Sequence, residues 1–145
     1  MYRTILLCYN GSVDGRRALR EGAELATRVG AATHLLAVSR LSPGAAESSA
    51  LEEPYGALRR GLEETLAEGV ARLQARGLHA TGHLAFGDPV AEILSCARRI
   101  PADLIVVGHR HRSSLARWWS NSVGVGLLEQ APCSILVALL EPQDG

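Results

Sequence analysis

Unbroken apolar runs and helically spaced apolar residues alternate along the chain, and each switch marks a predicted element. Thr4-Ile5-Leu6-Leu7-Cys8-Tyr9 is short and continuous, the pattern of a strand buried on both faces. Asn10-Gly11-Ser12 breaks it. Ala18, Leu19, Ala23, Ala26 and Val29 then recur at one-turn intervals, predicting a helix over 14–29 that Gly30 ends as a C-cap residue. A second strand is predicted over 33–38, and residues 39–53, rich in Ser, Ala, Pro and Glu, read as a mobile loop. Leu58, Leu62, Leu66, Val70 and Leu73 form one stripe of a long helix closed by Gly77. After a third strand over 78–86, Asp88 and Pro89 form a helix start: a carboxylate caps free amides, and proline suits the first helical position. Val90, Ile93, Leu94 and Ala97 are its predicted inward face, and Ile100-Pro101 closes it. Leu104-Ile105-Val106-Val107 is the most strand-like run, halted by Gly108. A polar, basic stretch over 109–120 leads to a short helix predicted over 122–130 and a fifth strand over 134–140.

Five strands alternating with four helices predict an α/β domain, a parallel sheet wrapped on both faces by right-handed crossovers in three layers, α/β/α. In open sheets of this kind, ligands sit beyond the carboxyl ends of the strands, where strand order reverses. The loops richest in Gly, Ser and Asn, 10–15 and 108–122, follow the first and fourth strands. If those strands are neighbours at the reversal, both loops line one crevice.

The order of elements, the Gly87-Asp88-Pro89 turn, the stretch Asp103-Leu104-Ile105-Val106-Val107-Gly108 and the ending Ala131-Pro132-Cys133-Ser134-Ile135-Leu136-Val137 resemble universal stress proteins, over about residues 3–138. The resemblance implies a single domain over 1–145 with a five-stranded, doubly wound, Rossmann-like or flavodoxin-like sheet of order 3-2-1-4-5. It also implies homodimers through the last strand, here Ser134, Ile135, Leu136, Val137 and Ala138, in a stress-response protein. Some members of the family bind ATP through a loop of pattern G-x-x-G, nine residues, G-[ST]. On this chain the pattern falls on Gly108, His111, Asn121 and Ser122, so one glycine of three is kept. Asn10 stands where the family typically has aspartate. The candidate nucleotide site implied is Tyr9, Asn10, Gly11, Val38, Val107, Gly108, Arg110, His111, Asn121, Ser122, Val123 and Gly124, with ATP or a related adenine nucleotide as its ligand.

Glycines in such a loop supply positive φ and let phosphate approach the backbone. Asn and His tolerate the left-handed region at ~1 kcal/mol per site, but the His111 side chain stands in the phosphate's way. Arg110, Arg112 and Arg117 add guanidinium charge suited to phosphate, Ser122 caps a helix facing the crevice, and an asparagine carbonyl at position 10 accepts from an adenine amino group. The alternative is a solvated surface loop without an anion. His109 and His111 lack a third ligand nearby, so no metal is predicted. Trp118-Trp119 suits packing over a sheet edge or a dimer mate, or stacking on a planar ligand.

Composition narrows the function classes. The 145 residues are 47% hydrophobic and carry 15 basic against 15 acidic residues, a balance that disfavours a nonspecific nucleic-acid binder. Every basic residue is arginine, which excludes lysine-dependent chemistry, including the phosphate-loop lysine. A phosphoryl-accepting receiver is disfavoured because the third strand ends in Phe86-Gly87, not an aspartate. The adenylating loop Ser-Gly-Gly-x-Asp-Ser is matched only in part by Asn10-Gly11-Ser12-Val13-Asp14-Gly15. Asp14 is the one carboxylate placed in the crevice, and no partnered general base accompanies it. A non-catalytic protein is therefore expected, either a nucleotide sensor or a nucleotide-independent interaction module. Cys8, Cys96 and Cys133 are widely spaced without a CxxC pair and read as reduced, buried thiols. With no signal-peptide pattern and no apolar run of ~20 residues, a cytoplasmic protein without a membrane or nucleic-acid partner is expected.

Overall fold

The computed structural model describes residues 1–9, 13–39, 52–109 and 122–139. Its elements are β1 (Thr4–Tyr9), α1 (Val13–Val29), β2 (Ala32–Ser39), α2 (Glu52–Ala75), β3 (Ala80–Phe86), α3 (Pro89–Arg99), β4 (Leu104–His109), α4 (Ser122–Gln130) and β5 (Ser134–Leu139). The strands form one parallel sheet in the order β3-β2-β1-β4-β5.

The central strands are buried on both faces because the pleat sends alternate apolar residues to opposite sides. Ile5, Leu7, Leu35, Leu104 and Val106 meet Leu19, Ala23 and Ala26 of α1 and Leu73 of α2 on one face. Leu6, Leu36, Ile105 and Val107 meet Ile93, Leu94 and Ala97 of α3 and Leu127 of α4 on the other. Close approach needs small residues where helices cross: a Cβ on Gly126 of α4 would meet Val90 Cγ1 at 3.0 Å.

The start of α3 is as predicted. Asp88 is extended at φ −68°, and its carboxylate accepts from the Ala91 N–H at 3.0 Å, with Pro89 next in the chain. A cap of this kind contributes ~1 kcal/mol. Gly30 and Gly77 end α1 and α2 at φ of 70° and 85°, the left-handed region that favours glycine.

Three expectations are corrected. Val29 and Leu58, read as inward stripe residues, are 43% and 38% exposed. Glu52 and Glu53, placed in the loop, open α2; the remainder of that loop, 40–51, lies outside the described residues. Of the three thiols only Cys96 is fully buried; Cys8 and Cys133 are half-buried, and all three are free. Burial pushes the Cys8 thiol far above its ordinary range, with Cys96 and Cys133 adding to the effect. Burial also raises Cys96 and Cys133. These thiols are protonated and poorly nucleophilic.

Candidate functional site

Strand order reverses at β1 and β4, which lie side by side at the centre of the sheet. Their ladder runs from Ile5 paired with Leu104 to Leu7 paired with Val106. On its other side β1 stays paired to its last residue, Tyr9 against Ala37 of β2, and β4 stays paired with β5 as far as His109 against Leu139. Beyond Leu7 and Val106, therefore, each central strand holds to its outer neighbour, and the sheet parts at its carboxyl edge. This switch point is where a doubly wound sheet is expected to hold a ligand.

The walls come from both faces. Tyr9 ends β1 and packs with the α1 face, 4% exposed. Val107 and Val38 pack with the α3 face, Val107 buried and Val38 half-buried. Gly108 is exposed beside the mouth, and Gly124 is buried in the first turn of α4. In chain order α1 follows β1 and α4 follows β4, and each is succeeded by a further strand parallel to the one before it, so the first turns of both helices lie toward this carboxyl edge. Their first-turn amides lack intrahelical partners and carry the positive end of the helix dipole. Among the described residues the lining is uncharged, which together with two helix N-termini suits a ligand having a flat apolar part and an anionic part.

Of the predicted site residues, Tyr9, Val38, Val107 and Gly108 lie toward the carboxyl ends of β1, β2 and β4, and Ser122, Val123 and Gly124 form the first turn of α4. Asn10, Gly11, Arg110, His111 and Asn121 lie outside the described residues, as do Arg112, Arg117 and Trp118-Trp119. Asp14 falls in the first turn of α1 and His109 ends β4; both side chains are outside the described set. The predicted interface residues 134–138 form β5 at a sheet edge, with Ser134 exposed, Ile135, Leu136 and Val137 half-buried, and Ala138 buried. Among the described residues no group of three or more His, Cys, Asp or Glu could hold a metal ion, and no helix is long and apolar enough to cross a membrane.

One polar cluster went unread in the sequence. His34 of β2 and His83 of β3 meet with Nδ1 and Nε2 2.9 Å apart, on the face covered by α3. Their ring centres are 5.1 Å apart and the planes differ by 23°. That separation is close to the largest a 2.9 Å nitrogen contact permits, so the two nitrogens point along the line joining the rings. The contact is an N–H···N hydrogen bond rather than a face-to-face stack. Burial lowers both imidazoles below their ordinary value, and the His34 and Arg99 charges lower His83 further. The alternation of strand residues puts each histidine on a face, but their meeting depends on the β2–β3 register, which pairs Leu36 with His83.

A doubly wound parallel sheet of this strand order defines a class of α/β domains. Comparison narrows the class: residues 1–138 match the universal stress protein family, and the chain belongs to it. A universal stress protein of Thermus aquaticus, encoded in the 3' region of a QAH/OAS sulfhydrylase gene, is 32% identical, with 94% of this chain and 98% of that protein covered. Two solved structures share the fold. UspA from Lactobacillus plantarum superposes with a TM-score of 0.76 at 23% identity, covering 94% of this chain and 97% of that one. A universal stress protein solved in complex with cAMP gives 0.69 at 22% identity, covering 95% and 97%.

Proposed function

We propose that the protein is a non-catalytic stress-response sensor that holds ATP or a related adenine nucleotide in the crevice after β1 and β4. The end of the β1–β4 ladder at Leu7 and Val106, at the point where strand order reverses, supports this reading, since ligands of doubly wound sheets sit at such a point. A similarly folded protein with bound cAMP supports it. In this reading Tyr9, Val38 and Val107 contact the base or ribose, and the Asn10 carbonyl accepts from the adenine amino group. Gly108, the Ser122 hydroxyl and the first amides of α4, with Arg110, take the phosphates. Cytoplasmic location and homodimerisation through β5, whose half-buried Ile135, Leu136 and Val137 lie at a sheet edge, belong to the same proposal.

His111 and Asn121, standing where the family's ATP loop has glycine, favour a second reading: an interaction module of the same fold that takes no nucleotide. Thermal melting separates the two. A ligand held at 100 times its Kd adds about 2.7 kcal/mol, which raises Tm by several degrees in a domain of this size. We expect such a shift with millimolar ATP, ADP, AMP or cAMP. An unshifted Tm with all four leaves the interaction module. The combined substitution His111→Gly with Asn121→Gly is expected to tighten ATP binding several-fold by clearing the phosphate's approach. Unchanged or weaker binding rejects the steric account.

A further inference from the structure

We propose that the His34–His83 pair is a proton-operated latch on the β3 edge of the sheet, closed by one shared proton and opened when both rings become cationic. The geometry fixes the proton count. Two nitrogens 2.9 Å apart and aimed at one another hold one hydrogen between them, so one ring donates and the other accepts. A first added proton goes to the far nitrogen of the donating ring and leaves the shared hydrogen in place. That state is an imidazolium donating to a neutral imidazole, so the bond persists while burial opposes the added charge. A second proton has only the accepting nitrogen left to occupy. It puts hydrogens on both facing nitrogens, abolishes the bond and sets two cations side by side.

The surroundings sharpen that step. The elements packed against the pair are β2, β3 and α3, with β1 beyond β2. On α3, Arg99 acts on His83 as a further cation. Cys96 is turned to the Arg99 guanidinium, and Glu92, one turn earlier, acts on Cys96. On β1, the Cys8 thiol is neutral. Among the described residues no carboxylate is set against either imidazole to welcome the second proton. Both rings bind protons more weakly in the fold than in the unfolded chain. The unfolded state therefore holds more protons between the two values, and stability is complete above about pH 6.5 and is lost as pH falls from there through the folded values.

The latch lies where the sheet can respond. β3 is an edge strand, bonded on one side only, and its end is tied to β2 by the Gly87 N–H donating to the Ser39 carbonyl at 2.8 Å. Opening the side-chain bond loosens this edge while the central strands keep both neighbours. Acid thus reaches β2, which also carries Val38, independently of any nucleotide.

Histidine-selective nitrogen NMR between pH 8 and 4, with amide hydrogen exchange followed in parallel, tests the latch. Wild-type protein is expected to titrate in two coupled steps seen by both rings. The shared hydrogen survives the first step and disappears in the second. Protection of the His83 and Ala85 amides, which face β2 in the register, falls several-fold across the second step. In His34→Gln, His83 is expected to titrate in one step at a higher pH than the wild-type second step. In Arg99→Gln, on the exposed end of α3, the second step moves up with the shared hydrogen still present in the first. Independent single midpoints for the two wild-type rings, an unmoved His83 in His34→Gln, or β3 protection flat through both steps each overturn the proposal.

Discussion

Leu7→Ala is expected to cost ~2–5 kcal/mol in urea unfolding and to be the background in which Gly22→Val does least harm. Leu7 is 1% exposed and is the last residue of β1 that pairs with β4. Its Cδ2 occupies the space into which a Cβ on Gly22 of α1 would project, and Val106 Cγ1 lies 3.4 Å from the same point. The missing side chain at Gly22 is what lets α1 lie against the seam between the central strands. Gly22→Val in the wild-type background therefore meets a fully packed wall and costs ~1–3 kcal/mol, despite valine's better helix propensity. Removing the Leu7 isobutyl group vacates the space, so the double variant should be more stable than the summed costs by ~0.5–3 kcal/mol. Additive costs would mean that the two positions do not compete for one volume.

Much of this packing was legible because a sheet covered on both faces makes its strands apolar throughout. Ile5 to Cys8 and Leu104 to Val107 have no polar interruption to blur them, and all five strands lie on the predicted runs, although β4 continues through the Gly108 break to His109 and β3 begins at Ala80 rather than near Leu78. The helices were read less well, for a reason of length. Helix α2 spans 24 residues, ~36 Å at 1.5 Å per residue, while β3 beneath it spans 7, ~23 Å. Such a helix overhangs its strand, and Leu58 is on the overhang; Val29, in the last turn of α1, is likewise beyond cover. Periodicity identifies a stripe but not where the surface under it stops. Glu52 and Glu53 belong by composition to the Ser-, Ala-, Pro- and Glu-rich stretch before them, yet they open α2, where Pro54 is tolerated because a first-turn N–H has no intrahelical partner to lose.

The candidate site was legible as two loops and became a crevice only through strand order. Nothing local tells that β1 and β4 are neighbours, or that their pairing stops at Leu7 and Val106 while the outer ladders go on. The histidine latch was invisible for the same reason. His34 and His83 are 49 positions apart, and a slip of one residue in the β2–β3 register would send one ring to the opposite face. Loop chemistry is local, and register is not.

Asp103→Ala is expected to free the start of β1 at a cost of ~1–3 kcal/mol, toward the lower end because one of the amides involved is exposed. In the sequence Asp103 reads only as the residue before a strand. In the structure its carboxylate reaches back 100 positions, accepting from the Arg3 N–H at 2.8 Å and from the half-buried Thr4 N–H at 3.2 Å. A backbone bond runs the other way, the Asp103 N–H donating to the Thr4 carbonyl at 2.9 Å, and the Ala32 N–H donates to the Arg3 carbonyl. Those two bonds survive the substitution, so alanine removes the carboxylate's share alone. Asp103→Asn keeps one acceptor but surrenders the charge, and charge-assisted bonds are about twice as strong as neutral ones. Its cost should therefore fall between wild type and Asp103→Ala. Amide exchange at Arg3 and Thr4 should rise in the same order, while amides in the middle of β4 change only by the global loss. Equal costs for Asn and Ala would show that the charge is idle. An Ala variant within ~0.5 kcal/mol of wild type, the scatter of ordinary surface substitutions, would mean that the strand start is held by its backbone bonds alone.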